Sequence, residues 1–220
     1  MNYASSAHEI FLHVRVILAI VLGLSISRLV TGLTRFVQHP KIYKIYPIHI
    51  GWVFFLLLAI IHFWWYEYAL IDVPSWTFAI YLFVITYAVI FVVLASLLFP
   101  DRLDDYSGFA EYFESRRKWF YGFLALMFVV DVIDTAIKGE GYLHSFGVEY
   151  IVRQGLLAAL AVIAVFVANK RFQQIFVLFA LAYELIWIFR MFESIRCQPP
   201  SDGTARAIQR SSYTVHLDEE

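Results

Sequence analysis

Residues 76–99, WTFAIYLFVITYAVIFVVLASLLF, run for 24 positions without a charged side chain. About 20 apolar residues in a helix cross about 30 Å of hydrocarbon, and backbone groups in lipid must be satisfied within the segment, which selects a helix. Five further stretches read the same way. Spans are predicted near Ile10–Val37, Pro47–Ile71, Trp76–Phe99, Lys118–Ile137, Val148–Ala168 and Phe172–Ile195. Turn and breaker residues separate them at His39-Pro40, Asp72-Val73-Pro74, Pro100-Asp101, Gly139-Glu140-Gly141 and Asn169-Lys170. The fold class is therefore all-α, an integral membrane bundle of six transmembrane helices. Residues 1–196 are expected to form this single domain. The stretch 197–220, with Pro199-Pro200 and no apolar run, is expected to be a disordered tail.

Composition agrees with that reading. With 61% hydrophobic and 16% charged residues, the chain lacks the polarity to cover a soluble domain. A formal net charge of -1 leaves no basic face for nucleic acid. The one cysteine, Cys197, excludes an internal disulfide and any multi-cysteine metal site, so no metal or cofactor is expected. Met1–Glu9 has no Lys or Arg and no small-residue cleavage site after a short apolar core, so the first helix is expected to act as its own insertion signal.

Orientation follows from the basic residues. Arg35, Lys41, Lys44, Arg102, Arg116, Arg117, Lys118, Lys170 and Arg171 gather on the first, third and fifth connections, against Lys138 alone on the other side. The positive-inside rule places both termini outside, although Arg196, Arg206 and Arg210 pull the other way. Trp52, Trp119, Trp64, Trp65, Trp76 and Trp187 fall near the ends of spans, as interfacial belts require.

Between the third and fourth spans, Leu103, Tyr106, Phe109 and Phe113 recur at helical spacing with Asp104, Asp105, Glu111 and Glu114 elsewhere on the wheel. This predicts a short amphipathic helix on the membrane surface, resting on lipid or docking a partner. On the first helix Ala19, Gly23, Ser27 and Thr31 form a ridge of small side chains, and the fifth carries Gly155, Ala158, Ala161 and Ala164. These two helices are expected at the bundle centre, and such ridges also suit a homo-oligomer or a membrane-protein partner.

Ionisable groups supply the functional lead. One at the bilayer centre costs about 3 kcal/mol on insertion scales, so each needs a partner, a wet cavity or a route to the interface. Arg28 can snorkel toward the inner surface. Arg15, His62, Glu67, Asp131, Asp134, Glu184 and Arg190 remain, contributed by the first, second, fourth and sixth helices at similar depth. Asp131 and Asp134, three apart, share a helix face, and like charges that close favour protonation of one. The candidate site is this set of seven, with the composition of a proton, cation or polar-ligand site. Structural pairs such as Arg15 with Asp134, or Arg190 with Glu193, are the competing explanation.

Other chemistries lack support. His49 and His62, 13 apart, could stack haems only with two further histidines, and the third to sixth helices hold none. No lysine lies mid-span for a retinal Schiff base, and no Walker loop, zinc-protease His pair or nucleophile elbow is present.

The pattern Gly23-x4-Arg28-Leu-x2-Gly32, then Trp52, then Phe63-Trp64-Trp65, then Leu97-Leu98-Phe99-Pro100, resembles a small bacterial polytopic inner-membrane protein family of unknown function. It covers the first half of the chain. The resemblance implies a bacterial inner-membrane setting and carries neither substrate nor mechanism.

Together these readings favour a polytopic membrane protein with a polar, outward-opening site that binds or passes a small solute, cation or proton. A non-transporting sensor or assembly subunit is the alternative. An intramembrane enzyme acting on a lipid or quinone, with Phe63-Trp64-Trp65-Tyr66 as platform, is a weaker third. Membrane lipids are the expected partners, and no nucleic acid is.

Overall fold

Proline, threonine and glycine set where the helices begin and end. The computed structural model describes residues 3–73 and 75–196, and the side chains of 9–190 within them. Its elements are α1 (Tyr3–Gln38), α2 (Pro47–Tyr66), a 3-10 segment Glu67–Asp72, α3 (Phe78–Leu98), α4 (Phe109–Ile137), α5 (Glu140–Ser145), α6 (Gly147–Phe166) and α7 (Lys170–Arg196). Among the described residues, six helices are long and apolar enough to cross a membrane: α1, α2 with its 3-10 extension, α3, α4, α6 and α7. This is a polytopic, all-helical membrane protein. The expected tail, 197–220, lies outside the described residues.

Pro47 opens α2, where its missing N–H costs nothing. Thr77 caps α3 by accepting the Ile80 N–H at 3.3 Å, and Pro100 follows the end of that helix. Gly108, at φ 152°, turns the chain into α4 through a conformation that side-chain-bearing residues rarely adopt. Just before it, Ser107 donates from both its N–H and its hydroxyl to Glu111 Oε2, at 2.8 and 2.6 Å. At the far end of α6, Arg117 from α4 donates to the carbonyls of Ala164 and Val167.

Gly108 also corrects the expected surface helix. Residues 104–108 are turns and bends, and Phe109–Ser115 forms the first two turns of α4, which starts well before Lys118. The apolar face meets protein instead of lipid. Phe109 stacks on His49 with ring centroids 5.1 Å apart and touches Phe36 at 4.9 Å, while Phe113 is fully buried. His49 itself lies inside this aromatic cluster, its Nε2 bonded to the Leu98 carbonyl at 2.8 Å. That bond satisfies one of the carbonyls left open at the end of α3.

The chain divides into two compact units, Met1–Ala182 and Tyr183–Glu220. In the first, α3 packs against α1, α2 and α4, and α4 against α3 and α6. The first and fifth spans are thus not its centre; the most buried span is α2. The buried stripe of α1 is Phe11, Val14, Leu18, Leu22, Ser25, Leu29, Gly32 and Phe36, spaced by threes and fours. Ala19, Gly23, Ser27 and Thr31 face outward, and a Cβ added at Gly23 would meet nothing within 4 Å. Bulky side chains maximise dispersion contact with α3, so the small ridge is left on the outside. Trp52 departs from its expected interfacial place too. It is completely buried, donating its indole N–H to the Tyr121 hydroxyl at 3.1 Å among Phe55, Phe120 and Phe176. In the second unit, the described residues continue α7 as helix to Arg196.

Candidate functional site

The last turns of α4 carry two polar faces. Asp131 and Thr135 are four apart and share one; Asp134 and Lys138 share the next. On the first, Asp131 accepts from the Tyr87 hydroxyl of α3 at 2.8 Å, from the Tyr150 hydroxyl of α6 at 2.6 Å and from the Gln154 amide, also of α6. Tyr150 also lies 2.8 Å from the Thr135 hydroxyl, and that hydroxyl donates to the Asp131 carbonyl at 3.0 Å. Asp131 is half-buried, so this face reaches the surroundings.

The second face is dry. The Lys138 ammonium sits 2.5 Å from Asp134 Oδ2 and 2.7 Å from Glu67 Oε1, and all three side chains are 2% exposed. Glu67 arrives on the 3-10 segment that prolongs α2, which brings a residue 71 positions earlier in the chain against α4. Burial alone would lower the Lys138 pKa, but the two carboxylates outweigh it and hold the ammonium well above the usual lysine value.

Two carboxylates on one ammonium leave the cluster one negative charge in excess when both are ionised. Glu67 Oε2 and Asp134 Oδ1 are buried and have no hydrogen-bond partner among the described residues. An idle, buried carboxylate oxygen is costly. Ionised carboxylates can only accept, so a single added proton removes the excess charge and turns one of these idle oxygens into a donor. Among the described residues no group of three or more His, Cys, Asp or Glu side chains is arranged to hold a metal ion.

The structure therefore brings together three of the seven residues expected at the site: Glu67, Asp131 and Asp134. Arg15 does not pair with Asp134. Its guanidinium lies over aromatic rings instead, 5.5 Å from the centroids of Phe11 and Trp64 and 6.0 Å from Tyr68. These π faces accept a guanidinium without a carboxylate. His62 is half-buried, its ring 4.6 Å from that of Tyr66, one turn on. Glu184 and Arg190 belong to the second unit; there Glu184 is buried and the Arg190 guanidinium lies 5.9 Å from the Trp187 ring. The proposed Arg190–Glu193 pair involves a side chain outside those described.

Helix use differs accordingly. Asp131 is served by α3 and α6, the third and fifth spans, neither of which carries a residue of the expected set from the first, second, fourth and sixth spans. Tyr87, Tyr150, Gln154 and Lys138 were missed, as was Arg153 of α6, which is buried and engaged. The spacing held the signal: Asp134 and Lys138, like Tyr150 and Gln154, are four apart and so lie one turn above each other. Lys138 escaped notice because Gly139 marked it as part of a connection.

The chain matches no protein-family profile, no curated protein and no solved structure.

Proposed function

We propose that this membrane protein binds and releases a proton at the Glu67–Asp134–Lys138 cluster, and that this exchange couples the bundle to the transfer of a proton or small cation. The observation that carries the reading is the pair of buried carboxylates sharing one ammonium, each with an oxygen left over. In the neutral form one proton lies between Glu67 and Asp134 while Lys138 stays charged. Losing it leaves a net charge out of contact with water, which costs several kcal/mol until water or a counter-ion arrives. Release therefore requires the 3-10 segment and α4 to part, and half-buried Asp131 on the adjacent face of α4 is the next acceptor. Arg15, His62, Glu184 and Arg190 have no direct part in this scheme.

The setting that fits is a bacterial-type inner membrane with both termini outside; the orientation is supported by the basic residues on the α1–α2 and α3–α4 connections, in the first turns of α4 and at the start of α7. The cluster then lies toward the outer face. The test is proton flux. Liposomes holding the protein and a pH-sensitive dye should collapse an imposed gradient faster than empty ones, and Glu67→Gln or Asp134→Asn should remove the difference while leaving a folded bundle. Equal flux in all three proteins would rule the reading out.

A second reading, a non-transporting sensor or assembly subunit, draws on the outward ridge of Ala19, Gly23, Ser27 and Thr31, a surface suited to close helix approach. Under it, Gly23→Leu abolishes co-purification with a membrane partner and neutralising Glu67 changes nothing.

A further inference from the structure

At the opposite end of the bundle from the acidic cluster, a cavity of about 420 Å³ opens between α1 and α3. Its polar lining comes from Arg28, Arg35, Ser27, Thr31, Ser96 and Asp101. We propose that this cavity binds a phosphate-bearing anion between the guanidinium groups of Arg28 and Arg35.

The two arginines are seven residues apart, two turns along one face of α1. Arg28 Nε donates to the Phe99 carbonyl at 3.1 Å, and Arg35 Nη1 to the Pro100 carbonyl at 3.2 Å. Consecutive carbonyls thus draw two like charges toward one short piece of chain. One carboxylate offsets them: Asp101 Oδ1 lies 2.8 Å from Arg28 Nη2. The site keeps one positive charge in excess.

Neither arginine is used up. Each guanidinium has five N–H donors; Arg28 commits two nitrogens and Arg35 one among the described residues. The remaining donors suit an oxyanion, which guanidinium forks bind with paired bonds. Asp101 is a weak competitor, because its side chain is 86% exposed and an exposed ion pair contributes little. A phosphate brings more oxygens to the same donors. The arginine side chains leave room for it, and the hydroxyl-bearing Ser27, Thr31 and Ser96 add short donors to the wall.

The cavity is also built to persist. A Cβ on Gly32 would come within 2.2 Å of the Phe99 ring, so only glycine lets that ring lie flat on α1. Phe99 is in turn buried against Phe36, His49 and Phe109. The ring therefore fixes the Phe99–Pro100–Asp101 segment that the arginines grip.

Two sources share this chemistry, an anionic phospholipid headgroup and free inorganic phosphate. Native mass spectrometry of the full chain in detergent, titrated with phosphatidylglycerol or phosphatidylcholine, tests the first. Thermal melting with and without inorganic phosphate, against matched chloride, tests the second. Wild type should retain phosphatidylglycerol about tenfold better than phosphatidylcholine, or melt higher in phosphate, and R28Q/R35Q should lose whichever effect appears. A phosphatidylglycerol preference identifies a lipid site, and a phosphate effect alone identifies a soluble ligand. Because R28Q/R35Q also cuts the bonds to the Phe99 and Pro100 carbonyls, Ser96→Phe provides a second variant that fills the cavity and spares both arginines. It should abolish the same effect. Absence of both effects in wild type, or their survival in Ser96→Phe and R28Q/R35Q, overturns the proposal.

Discussion

Lys138 Nζ lies 2.7 Å from Glu67 Oε1 and ties the end of α4 to the segment that extends α2, with both side chains 2% exposed. A bond so far from water is strong only while every member of its cluster is present, and this makes the cluster open to test.

Lys138→Met leaves two buried carboxylates without a cation. It should cost about 3 kcal/mol, since breaking a buried ion pair from one side strands a charge. Glu67→Gln/Lys138→Met should recover at least about 1 kcal/mol of that, because one stranded charge is gone. Unfolding titrations in micelles read both values, and equal stability of the single and double variants would contradict the coupling.

Asp131 gathers hydroxyls from two helices, so Tyr87→Phe and Tyr150→Phe should each destabilise by about 1 kcal/mol. Tyr150→Phe should cost more, because that hydroxyl also meets Thr135. The same unfolding titration would disprove the ranking if Tyr87→Phe proved the costlier change.

Two glycines of α1 should behave oppositely. Gly32→Ala drives a methyl into the buried Phe99 ring and should cost about 1 to 3 kcal/mol. Gly23→Ala meets open space and should be neutral or stabilising by up to about 1 kcal/mol. Paired thermal melts decide it.

Topology can be read chemically, since Cys197 is the one native cysteine. In a Cys197→Ser background, Ser145→Cys on α5 should react with a membrane-impermeant maleimide from outside intact cells, and His39→Cys should react only after lysis. The reverse pattern would invert the proposed orientation.

The spans were legible in the sequence because hydrocarbon thickness and backbone satisfaction leave few alternatives. Breakers such as Pro40 and Pro100 then placed the ends. What was not legible is rotation about each helix axis. Depth put Arg15 beside Asp134, yet the Arg15 guanidinium lies over Phe11, Trp64 and Tyr68 and the cation at Asp134 is Lys138. Small residues misled for a related reason. In lipid either face of α1 can be apolar, so the ridge through Gly23 does not declare its side, whereas the three-and-four spacing from Phe11 to Phe36 does. The surface helix failed on Gly108, whose turn directs Phe109 and Phe113 into the aromatic cluster around His49.

The most direct test of the central claim looks for the proton itself. Infrared difference spectra of the full chain in lipid, recorded across a pH series, should contain a protonated-carboxyl C=O band that weakens as pH rises and is lost in Glu67→Gln and Asp134→Asn. Asp131→Asn should leave that band in place. A wild-type spectrum without the band, or a band indifferent to Glu67 and Asp134, would mean that the cluster is a fixed ion pair and not a proton site.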